Sequence, residues 1–173
     1  MRKALIVTMI LLLVNIVAAA SWDNVPNNNK TELRTYSYDN SLKLTIRMYL
    51  VTLQNVTLLA AKPGEELAED IMNFVVAVKK KWPEQEALTV AVIPNGTQYF
   101  FPWDLAFTQG TRQYNVESGD YVPITDSFTS GQLREGVVAL AVIAIPKGID
   151  LSKKFRIWYN DTYTVMPALQ NTQ

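Results

Sequence analysis

The sequence contains no cysteine and no histidine among its 173 residues. Without cysteine, a disulfide scaffold, a thiolate metal site and a thiol nucleophile are all excluded. Without histidine, the imidazole that serves most zinc sites and Ser-His-Asp enzymes is missing. Charge of one sign does not dominate either, because 16 basic side chains balance 16 acidic ones. A polyanionic partner such as a nucleic acid is therefore not expected, and no motif calls for a cofactor.

The one long apolar run follows Arg2 and Lys3 and extends from residue 4 to residue 20, where it ends in three alanines. A short basic stretch, an apolar run and small residues before a cleavage point are typical of a secretory signal peptide, here residues 1–20. An uncleaved anchor or a pilin-type leader are the alternatives. We therefore expect a secreted or cell-surface protein.

Composition divides the remaining chain into three parts. Residues 21–41 are polar and rich in asparagine, and we interpret them as an exposed N-terminal leader without a packed element. Residues 42–166 carry the periodic patterns of one folded domain, and residues 167–173 form a short tail. A domain of this size can bury a core without disulfides.

Several segments have the pattern of β-strands. Apolar residues alternate with polar ones over Leu42–Leu50, which predicts a half-buried strand. The run Val137–Ile145 is apolar at both parities, so we predict a central strand covered on both faces, with Val138, Leu140, Val142 and Ile143 in the core.

Turn residues between β-rich runs predict two hairpins. Asn95-Gly96 separates the runs 88–93 and 97–101, and Asn160-Asp161 separates 155–159 from 162–166. Asparagine and glycine tolerate the positive φ angles of tight hairpin turns. A further strand at 103–107 and an irregular loop at 115–131 complete the reading of this half of the chain.

One segment has the period of a helix. Between residues 65 and 82, apolar residues recur at helical spacing, with acids in the first turns and three lysines in the last. The stripe that would meet the sheet consists of Leu67, Ile71, Phe74, Val78 and Trp82. About seven strands and one inserted helix, at about residues 65–82, together predict a mainly β protein, an antiparallel β-sandwich with an added helix.

Four segments also carry a family resemblance, namely Leu88–Asn95, Phe101–Tyr114, Gly131–Pro146 and Phe155–Asp161. Their order resembles that of the extracytoplasmic immunoglobulin-like domains of unknown function found in secreted proteins and lipoproteins of bacteria and archaea. The lipobox cysteine of the lipoprotein members is missing, and the helix is an insertion. The resemblance implies an immunoglobulin-like sandwich outside the cytoplasm, and it transfers no catalytic residue.

Four N-x-[ST] sequons offer sites for N-glycosylation, at Asn29, Asn55, Asn95 and Asn160. Asn95 and Asn160 lie in predicted turns and Asn29 in the leader, where a glycan would be accessible. Asparagine is also a preferred turn residue and threonine a preferred strand residue, so structure alone can account for these pairs.

Other candidate sites are weaker. The acids Glu117, Asp120 and Asp126 could supply oxygen ligands to Ca²⁺, although they lack the spacing of a calcium loop. Five aromatic residues could form a platform for a sugar or a protein, or could pack against the helix: Trp82, Tyr99, Trp103, Trp158 and Tyr159. No enzyme motif is present, so we predict neither a catalytic residue nor a metal site.

Two classes of function fit this pattern best. The first is a non-catalytic module that binds a protein or a cell-surface partner, with a carbohydrate-binding or carbohydrate-active domain as an alternative. The second is a subunit of an extracellular filament, in which residues 21–41 or the C-terminal segment would add a strand to a neighbouring copy.

Overall fold

The structure, a computed structural model, describes residues 27–51 and 76–169. In these ranges the chain is mainly β and has one helix, at residues 76–81. The strands are β1 (Lys30–Tyr36), β2 (Leu42–Leu50), β3 (Ala87–Pro94), β4 (Gln98–Tyr99), β5 (Leu105–Gln109), β6 (Arg112–Asn115), β7 (Tyr121–Pro123), β8 (Gln132–Leu133), β9 (Ala139–Ala144), β10 (Phe155–Tyr159) and β11 (Thr162–Met166). Three 3-10 helices occupy Asn27–Asn29, Pro102–Asp104 and Asp126–Thr129.

Two antiparallel sheets form a sandwich. The five-stranded sheet has the order β1-β2-β3-β9-β7, the four-stranded sheet has the order β11-β10-β5-β6, and β4 pairs with β8. The larger of two buried clusters lies between the sheets and contains residues of both, among them Ile46, Val90 and Ile143 from the first sheet and Phe107 and Ile157 from the second. The prediction of a mainly β sandwich with one helix is confirmed.

Strand β2 has the bounds and the alternation that its sequence predicts. Leu44, Ile46 and Met48 are buried, whereas Thr45 and Arg47 between them are only partly covered. The buried set faces the other sheet because successive side chains of a strand point to opposite faces.

Strand β9 is buried at all six of its positions. It lies between β3 and β7. Ile143 belongs to the core between the sheets, whereas Val142 and Ala144 join a second cluster on the opposite face. The central-strand prediction is confirmed for Leu140, Val142 and Ile143; Val138 precedes the strand and is only partly buried.

The second face of β9 is covered by the end of the helix. Val78 and Trp82 are buried there against Val142 and Ala144. The Trp82 backbone N–H donates to the Val78 carbonyl at 3.0 Å, which is a helical i to i−4 contact. The predicted helix therefore covers the sheet where it is described, and residues 65–75, with Leu67, Ile71 and Phe74, lie outside the described residues.

The prediction that residues 21–41 carry no packed element was wrong from Lys30 onward. Strand β1 pairs along its length with β2, and Leu33 is buried in the core. Thr31 is also buried, and its hydroxyl contacts the Thr164 hydroxyl at 2.7 Å and donates to the Val165 carbonyl at 3.1 Å. An edge strand needs few apolar residues, so the polar composition of this segment did not indicate a strand.

The segment after residue 166 also packs in part. Leu169 is buried in the core, and its backbone N–H donates to the Leu151 carbonyl at 2.8 Å. The tail predicted at 167–173 therefore contributes to the sandwich at least as far as Leu169, because one apolar side chain with a backbone partner anchors it.

The predicted hairpin at Asn95-Gly96 was wrong in its pairing. Gly96 has the expected positive φ of 75°, but β3 pairs with β2 and β9, whereas β4 pairs with β8. Both edges of β3 are already occupied, so the chain leaves this sheet after the turn.

Four strands were not predicted individually, namely β1, β6, β7 and β8. The segment read as a loop at 115–131 contains β7, which pairs with β9, and a 3-10 helix that buries Phe128. By contrast, the closing hairpin of β10 and β11 is confirmed, with Asn160 at a φ of 52° in its turn.

Candidate binding face

The outer face of the four-stranded sheet carries two rows of side chains across its strands. The first row is Asn115, Ala106, Trp158 and Tyr163, and the second is Gln113, Thr108, Arg156 and Val165. Their neighbours Phe107 and Ile157 are buried in the core. The alternation that directs Phe107 and Ile157 inward therefore presents Trp158 outward.

A cleft of about 410 Å³ opens in the first row. Its lining includes Trp103, Asp104, Ala106, Gln113, Asn115 and Trp158, and we call it the Trp158 cleft. Because Ala106 stands between Asn115 and Trp158 across the sheet, its small side chain leaves a hollow between two larger neighbours. A cleft of this volume is in the range of small-molecule binding sites.

Two contacts hold the Trp158 ring. Its Nε1–H donates to the Thr108 hydroxyl at 2.9 Å, and its ring lies against the Tyr163 ring with centroids 4.6 Å apart. The Arg156 guanidinium in turn lies 4.8 Å from the Tyr163 centroid. The indole is therefore fixed in position before any ligand arrives, which lowers the entropic cost of binding.

Trp103 forms the end of the cleft. It belongs to the 3-10 helix Pro102–Asp104, whose Pro102 is buried. The Trp103 ring stacks on Phe101 with centroids 4.9 Å apart and is 61% exposed. An aromatic side chain supported on one face and open on the other presents a flat apolar surface to solvent.

The opposite wall carries two amides. The Gln113 Nε2 donates to Asn115 Oδ1 at 2.9 Å. Because an amide has one oxygen and two N–H groups, this bond leaves an acceptor on Gln113 and donors on both side chains. The wall thus offers adjacent donors and an acceptor to a ligand.

Asp104 lies where the cleft meets the β10–β11 turn. Burial raises the pKa of its carboxyl from the ordinary 3.8, and no hydrogen bond from the described residues contributes to the shift. Its backbone carbonyl accepts the Asn160 N–H at 3.1 Å. The ionised carboxylate is therefore less stable here than in the unfolded chain.

Asp104→Asn is expected to raise the melting temperature modestly at pH 7 and to leave it unchanged at pH 3. Because the folded-state pKa lies above the unfolded value, stability falls as pH rises through the interval between them, and the variant escapes that loss. Thermal denaturation at the two pH values measures the effect. Asp161→Asn, at an exposed neighbour, is the control; an equal gain there, or no gain at Asp104, contradicts the assignment.

The five candidate aromatics divide into two groups. Trp82 and Tyr159 are buried, the first where the end of the helix meets the five-stranded sheet and the second stacked on Phe100 with ring centroids 5.2 Å apart. Burial raises the pKa of the Tyr159 hydroxyl. Trp103 and Tyr99 are exposed and Trp158 is partly exposed on the outer face of the sheet, so the alternative of packing against the helix is wrong for these three.

The sequons lie in different environments. Asn160 and Asn95 are exposed in turns, and the Asn95 Nδ2 donates to the Leu42 carbonyl at 2.9 Å. Asn29 ends a 3-10 helix and is partly covered. Asn55 lies outside the described residues. Among the described three, only Asn160 lines the Trp158 cleft.

The acids suggested for calcium are engaged differently. Asp120 Oδ2 accepts the Glu117 backbone N–H at 2.9 Å, and Asp126 begins a 3-10 helix further along. Within residues 27–51 and 76–169, no group of three or more acids could hold a metal ion. The structure therefore does not bring the three suggested ligands together.

The sequence did not indicate the full lining of the cleft. The outward position of Trp158 follows from its parity, but Ala106 and the amides of β6 carried no signal by themselves. Their position depends on the registers of β5 with β6 and of β5 with β10, which no local sequence pattern specifies.

Comparison with known proteins adds little. The chain matches no protein-family model and no curated protein. It has a weak similarity, with a TM-score of 0.35 and 11% sequence identity, to the crystal structure of a functionally unknown protein from Listeria monocytogenes EGD-e. The alignment covers 86% of this chain and 91% of that one. In the part of this chain that is described, no helix has the length and apolarity needed to cross a membrane.

Proposed function

We propose that the chain is a non-catalytic, exported binding module that recognises a cell-surface partner through the Trp158 cleft. The observation that supports this is the hollow over Ala106, with a fixed indole on one side and two amides on the other. The core does not require this arrangement, because all three groups lie on the outer face. Aromatic residues around a concave surface are characteristic of recognition sites.

We also propose that the sandwich is immunoglobulin-like, and the strand order supports this. Strands β2, β3, β9 and β7 follow the order A-B-E-D of such domains, and β11, β10, β5 and β6 follow G-F-C-C′. In this interpretation β1 is an extra strand beside A, and the helix is inserted between A and B.

Export is the part of the proposal that rests on sequence. The basic start and the apolar run of residues 4–20 support it. Asn95 and Asn160 are exposed, so glycosylation of the exported chain is sterically feasible there.

The hypothesis of a filament subunit has less support than that of a binding module. Strand donation would have to draw on residues 21–41 or on the C-terminal segment, yet β1 and β11 are both paired within this chain. A donor strand would first have to leave its own sheet, and Leu33 and Met166 would leave the core with it.

Binding to the cell envelope of the source organism tests the proposal. Trp158→Ala removes the indole beside the hollow, and Ala106→Leu fills the hollow without removing a contact group. Both variants are expected to lower envelope binding at least tenfold, measured by co-sedimentation. Tyr38→Ala, a fully exposed aromatic in the β1–β2 turn, is the matched control and should bind like the wild type. Wild-type binding by both cleft variants, or no binding by the wild type, contradicts the proposal.

A further inference from the structure

We propose that the ligand of the Trp158 cleft is a saccharide. This inference rests on the proposed function and adds the chemical class of the ligand. It is carried by the combination of two tryptophan rings with uncharged amide groups in a single shallow cleft.

The aromatic side chains fit the apolar face of a sugar ring. Trp158 and Trp103 both line the cleft; Trp103 stacks on Phe101, and the Trp158 ring lies against Tyr163 at a tilt of 43°. The C–H groups of a pyranose form a flat apolar surface that packs on an indole, whose face carries negative charge density. A fixed indole gains most from such a contact because little freedom is lost on binding.

The polar side chains fit hydroxyl groups. Each sugar hydroxyl donates one hydrogen bond and accepts others. The bonded amides of Gln113 and Asn115 offer adjacent donors and an acceptor, and Asn160 adds a third amide at the rim. A ligand without hydrogen-bonding groups would leave these amides unpaired on binding, which is costly.

The shape of the face fits a chain of sugars rather than one. A second cleft of about 390 Å³, lined by Arg156, Lys154 and Val165 among others, adjoins the first at Thr108, which lines both. The two clefts together extend along β10 and the residues that flank it, from Asn160 to Lys154. This distance is about 20 Å at ~3.3 Å per residue. An oligosaccharide could lie along this line with its rings over Trp158.

Two treatments of the envelope distinguish a saccharide from a protein ligand. Periodate cleaves vicinal diols of sugars, whereas a protease removes surface proteins and leaves polysaccharide in place. We expect periodate to abolish binding of the wild-type chain and protease to leave it. Binding that survives periodate and is lost on protease treatment overturns the saccharide inference while the proposed function stands.

A glycan array of neutral and acidic oligosaccharides provides the direct test. The chain is produced in a bacterial host without N-glycosylation, so that no sugar on Asn160 can fill the cleft from within. We expect the wild type to retain at least one glycan, and Trp158→Ala and Asn115→Ala to lower that signal more than tenfold. Tyr38→Ala is the control, and circular dichroism checks that each variant is folded. Retention of no glycan, or undiminished retention by both folded cleft variants, overturns the inference.

Discussion

Leu140→Asp is expected to abolish the folded protein. Leu140 lies in β9 with only 6% of its surface exposed, opposite Ala91 of β3. An aspartate there would place an unpaired charge inside the five-stranded sheet, which costs about 3–5 kcal/mol. A domain has only about 5–15 kcal/mol of stability in total. Circular dichroism and the yield of soluble protein measure the loss.

The same charge on an exposed strand position is the control. Tyr36 is the last residue of β1 and is 53% exposed. Tyr36→Asp should fold with a melting temperature close to that of the wild type, since surface substitutions rarely exceed about 0.5 kcal/mol. A soluble Leu140→Asp variant that melts like the wild type would show that β9 is not an interior strand covered on both faces.

Trp82→Ala is expected to destabilise the domain by about 3–5 kcal/mol, the usual cost of truncating a buried aromatic. Trp82 is 8% exposed and packs with Val78 against Val142 on the second face of β9. The variant leaves a cavity between the helix and the sheet and uncovers an apolar strand. Urea denaturation followed by circular dichroism gives the change in the free energy of unfolding.

The matched control replaces a tryptophan on the surface. Trp103 is 61% exposed and stacks on Phe101. Trp103→Ala should therefore cost less than about 1 kcal/mol. Equal losses from the two variants would mean that Trp82 does not lie between the helix and the sheet.

The strands that were predicted well are those whose signal is local. Strand β2 alternates without interruption, and β9 is apolar at both parities, so each pattern has one ready interpretation. The hairpin of β10 and β11 follows from the turn at Asn160. In each case the information lies within about ten consecutive residues.

The features that were missed depend on distant pairing. Strand β1 is stabilised by its neighbour β2 and by Thr164, not by an apolar pattern of its own. Strand β4 pairs with β8, more than thirty residues later, although its turn resembles that of a hairpin. A local turn signal specifies the backbone conformation of Gly96 but not the destination of the chain after it.

The candidate site also combines a feature with a local sequence signal and a feature that depends on distant pairing. The outward position of Trp158 follows from strand parity, because Ile157 and Tyr159 on either side of it are buried. The hollow beside it exists because Ala106 pairs with both Trp158 and Asn115, and that juxtaposition needs the registers of β5, β6 and β10 together. The sequence therefore predicts that the Trp158 ring faces outward, but it does not predict the cleft beside that ring.

Hydroxyl-radical footprinting of the chain on native cell envelope tests the central claim most directly. Radicals oxidise accessible aromatic side chains, and mass spectrometry measures each of them separately. If the Trp158 cleft is the binding face, oxidation of Trp103 and Trp158 should fall on binding, while Tyr38 in the β1–β2 turn should be oxidised as in the free chain. Protection of Tyr38 with unchanged oxidation of Trp103 and Trp158 would contradict the account, because the partner would then occupy a different face of the sandwich.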